Sequence, residues 1–411
     1  MDRDTMSPEN ADCHSRRVDD GNRQPRPQSL RQDDRPMLPF VDLAAQRRRL
    51  GERIDSAIAR VLDHGRFIMG PEVRELEREL ADHCGSRHAI ACSSGTDALL
   101  LALMALRTGP GHAVLVPSFT FVATAEAVAL LGAVPVFVDV DPETFCLDKA
   151  AIRAGVATAR DHDLQPVGVI SVDLFGQPAD YGPIEAAASE FGLWLVCDAA
   201  QSFGASLHGR KVGTFGRVTT TSFYPSKPLG CYGDGGALFT DDDSLAATIR
   251  SVVDHGAGSD KYDNVRIGMN GRLDTIQAAI LLEKLTVFDD ELTRRQSVAY
   301  RYSDGLGSLA GLLLPRLRDG AASTWAQYTL RLDGIDRETF RTRLGNCGVP
   351  TAVYYPRPLH RQTAYRDFPM AGNGLPASEA LSASVASLPI HAYLDPGDQD
   401  AIMGVIHDSM R

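Results

Sequence analysis

The stretch TTTSFYPSKPLGCYGDGG, residues 219–236, decides how the rest of the chain is interpreted. Its β-branched start predicts the end of a strand, and its glycines predict a turn. Between the two, Lys227 stands between prolines that stiffen the backbone on both sides. The chain has only five lysines. A fixed amine in such a chain suggests chemistry that arginine cannot perform, namely attack on a carbonyl to form a Schiff base. An ordinary loop lysine is the alternative.

Short apolar segments alternate with helical patterns over the residues that precede and include this stretch. Such alternation predicts an α/β fold with parallel βαβ units and a mostly parallel central sheet in a large domain. Ligands in these sheets bind beyond the carboxyl ends of the strands. The predicted strands are 89–92, 114–116, 136–140, 167–172, 193–197, 218–223 and 237–240, and the predicted helices are 96–106 and 123–131.

The ends of the chain differ from this central part. Residues 1–36 are charged and nearly free of large apolar residues, which predicts a disordered leader, with a regulatory tail as the alternative. A helix predicted over 276–287 leads out of the large domain, 37–288. Residues 289–411 then form a smaller C-terminal α/β domain, with a strand over 327–332, a helix over 337–346 and an extended segment over 351–355.

Composition excludes several classes of function. The 411 residues are 44% hydrophobic and carry a formal net charge of −11, which disfavours general binding to nucleic acid or to an anionic membrane surface. No apolar run reaches the roughly 20 residues that span a bilayer. Seven scattered cysteines without a C-x-x-C pair predict reduced thiols in the cytoplasm and no metal site.

Four clusters fall at predicted strand ends. The sequence SSGTD, residues 93–97, opens a helix and could bind phosphate, although plain helix capping is the alternative. Phe121 could stack on a planar ligand or belong to the core. Asp198 directly follows a buried strand and needs a partner such as a protonated ring nitrogen. Together with Ser222 and Lys227 these features predict a pyridoxal 5′-phosphate site. A nicotinamide enzyme is disfavoured, because no G-x-G-x-x-G follows a strand.

The motifs GTDAL, PSFTFVATAEAV, DAAQSFGA, SFYPSKPLGCYGDGGAL, GMNGRLDTIQAAIL and YYPRPLH occur in this order from about residue 38 onward. In this the chain resembles the sugar-nucleotide aminotransferases of the DegT/DnrJ/EryC1/StrS family. The resemblance implies the aspartate-aminotransferase fold (fold type I), with the Schiff base on Lys227. One departure is Cys197, where many relatives carry glutamate. The cofactor-binding residues that the resemblance implies are Gly95, Thr96, Phe121, Asp198, Gln201, Ser222, Lys227 and, from the neighbouring subunit of a homodimer, Asn270.

The substrate is also implied by resemblance. The segment 221–238 together with GMNGRLD and LPIHAYLD is most similar to the branch that aminates UDP-2-acetamido-2-deoxy-3-oxo-glucuronate at C3, with L-glutamate as the expected donor. Arg272 would bind the sugar carboxylate, unless it makes a structural pair with Asp274 or another acid. The loop that faces the sugar nucleotide would supply Tyr354, Tyr355, Arg357 and His360, of which the last two are candidates for the diphosphate or the donor carboxylate.

Three alternatives remain open at this stage. The first is an aminotransferase for a dTDP-keto-deoxysugar. The second is the sugar dehydration that some relatives catalyse, which Lys227 argues against because those relatives carry histidine at the equivalent position. The third is a non-catalytic regulatory relative, which the complete set of cofactor residues argues against.

Overall fold

The computed structural model describes residues 37–260 and 262–410, and the predicted leader lies outside them. The helices are α1 (Leu43–Leu50), α2 (Glu52–His64), α3 (Pro71–Cys84), α4 (Gly95–Ala105), α5 (Ala123–Leu130), α6 (Lys149–Asp161), α7 (Tyr181–Glu190), α8 (Asp243–Val252), α9 (Thr275–Leu306), α10 (Arg337–Asn346), α11 (Pro376–Ser384) and α12 (Pro396–Ser409). The strands are β1 (His88–Cys92), β2 (His112–Pro117), β3 (Val134–Val138), β4 (Gln165–Val172), β5 (Trp194–Asp198), β6 (Ser206–Leu207), β7 (Arg210–Lys211), β8 (Val218–Ser222), β9 (Gly236–Thr240), β10 (Leu312–Leu313), β11 (Ala321–Ala322), β12 (Tyr328–Leu332) and β13 (Val385–Leu388).

The central sheet has seven strands in the order β1-β9-β8-β5-β4-β2-β3. The pairs β2–β3, β2–β4, β4–β5 and β5–β8 are parallel, whereas β9 is antiparallel to both of its neighbours. A loop without a crossover helix joins β8 to β9, so the chain returns in the opposite direction. The mostly parallel sheet is as predicted.

Both faces of this sheet are covered. In β2, Val114 and Val116 pack into the core beneath α4, α5 and α8, while Leu115 between them packs into the core beneath α6 and α7. Successive side chains of a strand point to opposite faces, so a strand buried on both faces is continuously apolar. That is the pattern from which the strands were predicted.

Strand β3 is displaced from its predicted position and ends at Val138 rather than at residue 140. The next residue, Asp139, accepts hydrogen bonds from the backbone N–H groups of Ala377 and Ser378 in the first turn of α11, at 2.9 and 2.8 Å. The chain therefore leaves the sheet where this carboxylate binds another helix, a contact over more than 200 residues that periodicity cannot show.

Helix α9 has 32 residues, whereas the prediction ended it at residue 287. No glycine or proline interrupts the chain before Gly305, so nothing in the sequence stops the helix. Its later half packs Val298, Tyr302 and Leu306 into the core beneath the sheet β10-β12-β13. The predicted domain boundary at 288/289 thus falls inside a continuous helix, and the division into two domains stays a prediction.

All six cysteines among the described residues have free thiols, and five of them are buried. None of the described helices is long and apolar enough to cross a membrane.

Candidate active site

Asp198 lies where β5 ends at the carboxyl edge of the central sheet, next to Thr220 of the parallel strand β8. Its side chain is 6% exposed. One carboxylate oxygen accepts a hydrogen bond from the Ala200 N–H at 3.1 Å, and the other accepts one from the Thr124 hydroxyl at 3.2 Å. Two donors hold the carboxylate in place and leave it acceptor capacity for a further partner.

Lys227 lies in the turn that follows β8, where its N–H donates to the Tyr224 carbonyl at 2.9 Å. Burial lowers the pKa of the Lys227 amine, and the carboxylate of Asp198 acts in the opposite direction. Burial raises the pKa of Asp198, against which the Ala200 N–H and the Lys227 charge act. The two groups are therefore electrostatic partners in one buried region. An amine whose pKa is lowered in this way is a nucleophile and a base at lower pH than a free lysine.

The loop between β8 and β9 is closed tightly around Lys227. The Phe223 N–H donates to the Gly235 carbonyl and the Cys231 N–H to the Phe223 carbonyl, both at 2.7 Å. A side chain at Gly230 would place its Cβ 2.6 Å from the Tyr224 and Pro225 carbonyl oxygens, so only glycine fits there. The stiff loop expected from the prolines is present, and backbone hydrogen bonds strengthen it.

Lys284 of α9 also holds this loop, and sequence analysis missed it. Its amine is 1% exposed, donates to the Gly230 carbonyl at 2.6 Å and lies 4.1 Å from the centroid of the Tyr232 ring. Burial lowers the pKa of Lys284 to about 8. The scarcity of lysine in the chain was a signal that could have drawn attention to it.

The start of α4 lies against the end of β8. A Cβ on Gly95 would come within 2.5 Å of the Ser222 Cβ, so the missing side chain allows this close approach. Ser94 caps the helix by accepting from the Asp97 N–H at 3.0 Å. Capping and phosphate binding are compatible here, because the first helical N–H groups, those of Gly95 and Thr96, have no acceptor among the described residues. These N–H groups and the Ser222 hydroxyl form a cradle suited to an anion.

Phe121 is 53% exposed and is therefore not a core residue. Its ring centroid lies 6.0 Å from that of Tyr355. Gln201 is buried, and its side-chain oxygen accepts from the Phe175 N–H at 2.5 Å. Burial, followed by the nearby Asp198 charge, raises the pKa of Tyr355 well above its usual value. Phe121, Gln201 and Tyr355 thus line the region around Asp198.

The segment that contains Asn270 and Arg272 runs beside α4, since the Gly271 carbonyl accepts from the Ser93 N–H at 2.8 Å. Arg272 donates from Nε and Nη2 to the Asn270 side-chain oxygen at 3.1 and 2.9 Å. Its Nη1 pairs with Asp254 at 2.8 Å. Arg272 therefore makes an ion pair within the chain, with Asp254 and not with Asp274, and its role as a carboxylate ligand stays a prediction. Asn270 itself is exposed.

The loop predicted to face the sugar nucleotide divides into two parts. Tyr354 is partly buried, and Arg357 is exposed without an ion pair to any other described residue. His360 is 5% exposed; its Nδ1 lies 2.7 Å from the Ser118 hydroxyl and its Nε2 3.1 Å from Glu379. Both ring nitrogens are thus engaged inside the chain. This favours a positioning role for His360 over the direct contact with substrate that was expected.

Thr124 and Asp173 also lie next to Asp198, although the sequence analysis did not single out either of them as a site residue. Thr124 lies 74 residues before Asp198 in the chain, and the hydrogen bond between them appears only in the fold. The Asp173 N–H donates to the Asp198 carbonyl at 3.1 Å, and its carboxylate accepts from Ser202 and Tyr181, each at 2.6 Å. Burial raises the pKa of Asp173 to about 7. Asp173 therefore ties the end of β4 to the end of β5.

A sequence profile of the DegT/DnrJ/EryC1/StrS aminotransferase family matches residues 48–407. The chain belongs to the DegT/DnrJ/EryC1/StrS aminotransferase family. This confirms the predicted family, fold class and enzyme class, so the protein is a sugar aminotransferase. The family match does not test the roles of individual residues, which stay predictions.

Three similar proteins illustrate the match. A UDP-2-acetamido-2-deoxy-3-oxo-D-glucuronate aminotransferase of Pseudomonas aeruginosa is 48% identical over 359 residues, covering 87% of this chain and 96% of that protein. A dTDP-3-amino-3,4,6-trideoxy-alpha-D-glucose transaminase of Streptomyces venezuelae is 39% identical over 360 residues, covering 88% and 93%. The crystal structure of a DegT DnrJ EryC1 StrS aminotransferase from Brucella abortus has a TM-score of 0.88 at 50% identity, covering 90% and 99%.

Proposed function

We propose that this aminotransferase moves an amino group from L-glutamate to the 3-oxo group of UDP-2-acetamido-2-deoxy-3-oxo-glucuronate, with Lys227 as the catalytic residue. The observation that carries the proposal is the position of the half-buried Lys227, which follows β8 at the carboxyl edge of the sheet, where the neighbouring parallel strand β5 ends at Asp198. The substrate is that of the relative with 48% identity.

Pyridoxal 5′-phosphate is the cofactor, and the described residues suit it. Gly95 lets the start of α4 approach Ser222 closely, so that the N–H groups of Gly95 and Thr96 and the Ser222 hydroxyl could together bind a phosphate. Asp198 is a buried carboxylate, and among the described residues Lys227 is the one cation that acts on its pKa, so a protonated ring nitrogen would stabilise it further. Phe121 presents an exposed aromatic ring next to Tyr355, and Gln201 also lies next to Tyr355. The cofactor, when bound, supplies an electron-withdrawing ring that stabilises negative charge on the α-carbon of the amino donor.

The protein's own groups then divide the work. Lys227 holds the cofactor and, once released, moves a proton on its Nζ to and from the donor. Its lowered pKa favours this role, since a base works best when its pKa is near the working pH. Asp198 holds the ring nitrogen, and the Thr124 hydroxyl and the Ala200 N–H keep the carboxylate oriented. Asp173 and the closed loop fix the two strand ends on which these groups lie.

Borohydride reduction followed by peptide mapping tests the role of Lys227. We expect the pyridoxyl adduct on the peptide that contains Lys227. The matched control is Lys284, the other buried lysine, which donates to a carbonyl and should remain unlabelled. An adduct on Lys284, or on any lysine other than Lys227, would refute the assignment.

The uronate substrate requires local positive charge. It would bring a diphosphate and a carboxylate to a protein of net charge −11 that already binds a phosphate. Like charges about 4 Å apart repel by roughly 4 kcal/mol at an intermediate dielectric, so cations in the site must offset this. Arg272 and Arg357 are the proposed cations. Arg357 is exposed, and Arg272 would exchange part of its contact with Asp254 for the sugar carboxylate.

A panel of keto-sugar nucleotides with glutamate as donor tests the substrate. Mass spectrometry should find amination of the 3-oxo uronate at a higher kcat/KM than of the neutral 3-oxo sugar. A preference for the neutral UDP sugar, or for a dTDP-keto-deoxysugar such as the relative with 39% identity would suggest, refutes the uronate proposal and leaves the aminotransferase class intact.

We further propose a homodimer in which Asn270 reaches the partner's site. Four large apolar side chains near this segment are exposed, and an apolar surface of this kind marks a protein interface. The segment is joined to the stretch that contains two of them, because the Thr275 N–H donates to the Phe67 carbonyl at 2.9 Å. The four residues are Phe67 (47% exposed), Ile68 (49%), Val265 (53%) and Ile267 (86%).

Subunit mixing tests the sharing of the site. Asn270→Ala and Lys227→Ala chains, each inactive alone, should regain part of the activity when mixed under conditions in which subunits exchange. Exchange is verified independently with two affinity tags. If tagged heterodimers form and remain inactive, each site takes both residues from one chain and the proposal is wrong.

A further inference from the structure

A small polar cavity lies on one side of the turn that contains Lys227. Its volume is about 20 Å³, which is room for a single water molecule. One wall is the turn itself, and the others come from the segment before α1, from α1, from α9 and from the segment after β13. The lining residues that matter here are Lys227, Gln46, Glu291, Arg295, His391 and Tyr393.

His391 is the unusual member of this lining. It is 3% exposed, and neither of its ring nitrogens has a hydrogen-bond partner among the described residues. Burial and the neighbouring Arg295 charge lower the pKa of His391 to about 4, with Asp42 acting in the opposite direction. The ring is therefore neutral at physiological pH, with one donor and one acceptor to satisfy. A buried polar group left unpaired costs about 1–3 kcal/mol, so such groups nearly always have a partner.

The two charged side chains of α9 that line the cavity, Glu291 and Arg295, already have hydrogen-bond partners. Glu291 accepts two hydrogen bonds from Gln46, at 3.1 and 2.8 Å, and one from the Tyr393 hydroxyl. Arg295 donates to the Trp325 and Ile390 carbonyls at 3.3 and 3.4 Å. The charges of Glu291 and Arg295 offset one another. A neutral occupant with both a donor and an acceptor therefore fits the cavity better than an ion does.

We propose that this cavity holds one ordered water, hydrogen-bonded to His391, which links the imidazole to the turn that contains Lys227. His391 is then a positioning residue for this turn, in addition to Lys284, which binds the turn through the Gly230 carbonyl. The inference rests on the proposed role of Lys227. Because His391 stays neutral, it can orient the water without adding a positive charge that would repel the Lys227 amine.

The experiment compares His391→Phe, which fills the site and removes both nitrogens, with His391→Gln, which keeps one donor and one acceptor. His83→Phe is the matched control. His83 is a partly buried histidine that also has a ring nitrogen without a hydrogen-bond partner among the described residues, but it packs against Phe203 and Phe288 outside the cavity. The holoenzyme is assayed for kcat, for KM of the donor, and for the pH midpoint of its visible absorbance. The wild-type crystal structure is determined at a resolution that shows single waters.

We expect His391→Phe to lower kcat about tenfold or more with little change in KM, since a small misplacement of a catalytic group has effects of this size. The pH midpoint of the absorbance should shift in the same variant. His391→Gln should recover part of kcat and part of the midpoint shift. His83→Phe should leave both kcat and the midpoint unchanged. A water within about 3.2 Å of a His391 nitrogen should be visible. An unchanged absorbance midpoint in His391→Phe, or equal defects in the Phe and Gln variants, would overturn the proposal.

If the His391→Phe variant does not fold, the wild-type crystal structure tests the proposal instead. A dry cavity, or a protein group on both ring nitrogens, overturns the inference. The borohydride adduct keeps the two proposals apart, because labelling of Lys227 in the wild type combined with a normal His391→Phe enzyme refutes only the role of His391.

Discussion

The candidate site has two regions that differ in how well their side chains are bonded within the chain. We call the region of Asp198, Thr124, Gln201 and Lys227 the floor, and the region of Phe121, Arg272 and Arg357 the mouth. At the floor, Asp198 is buried and accepts hydrogen bonds from within the chain, and Gln201 and Thr124 are likewise bonded. At the mouth, Phe121 is half exposed and Arg357 is exposed without an ion pair to the described residues. The difference indicates that one chain alone prepares the cofactor end, whereas the substrate end is left for a ligand or a second subunit to complete.

The largest effect should come from Lys227→Ala, which removes the reactive group from the floor. We expect kcat to fall by at least about 10³-fold, because the substitution removes the group that moves the proton. The melting temperature should not fall, since burying this amine is unfavourable. Activity assays and calorimetry check both points. The control is Lys211→Ala, which changes an exposed lysine that donates to the His83 carbonyl. Activity within tenfold of wild type would show that the floor does not depend on Lys227.

Asp198→Asn should have the second largest effect. The amide has the shape of the carboxylate but cannot stabilise a cationic ring nitrogen, so we expect kcat to fall about 10²- to 10³-fold. The visible absorbance of the holoenzyme should change at the same time, and Asp161→Asn at the exposed end of α6 serves as control. A spectrum and a rate like those of wild type would contradict the pairing of Asp198 with the ring.

At the mouth, Arg272→Lys should lower kcat/KM on the 3-oxo uronate by roughly 10- to 100-fold, the range for a lost charged hydrogen bond. The neutral 3-oxo sugar should be aminated as before. The matched variant Asp254→Asn removes the partner of Arg272 and keeps the guanidinium, so it should spare the uronate. If Arg272→Lys and Asp254→Asn each lower kcat/KM equally on both substrates, the ion pair is structural. Arg272 is then not the ligand of the sugar carboxylate.

The smallest effect should come from Lys284, which donates to the Gly230 carbonyl in the loop of Lys227. Its pKa is about 8 in the fold against 10.5 for a free lysine. Below pH 8 the charged amine bears its full burial cost; between pH 8 and 10.5 the unfolded chain binds more protons, so wild-type stability gains with rising pH. Lys284→Met lacks this gain. The difference in melting temperature, wild type minus variant, should therefore rise by a few degrees from pH 7.5 to 10. A flat difference would show that the buried amine keeps its proton up to pH 10, so that its pKa is not lowered in the fold.

The sequence predicted the floor better than the mouth for a physical reason. Asp198 and Ser222 lie at the ends of apolar strands, and parallel strands bring their carboxyl ends together, so local patterns placed these residues correctly. The contacts of His360 could not be predicted, because its partners, Ser118 and Glu379, come from remote parts of the chain. Thr124, Lys284 and the partner of Arg272 were missed or left open for the same reason. Contacts between distant segments leave no periodic signal in one sequence.

The number of residues in helix α9 must stay fixed, because the helix holds the loop of Lys227 in place relative to the segment 389–393. Four buried polar residues along it, at spacings of seven, four and seven, contact the loop of Lys227 at one end and the segment 389–393 at the other. They are Lys284, Glu291, Arg295 and Tyr302. One residue inserted between Lys284 and Glu291 would rotate the last three by about 100° relative to the first. Insertions and deletions are thus excluded from α9, and variation in length belongs to surface loops such as the one around residue 260.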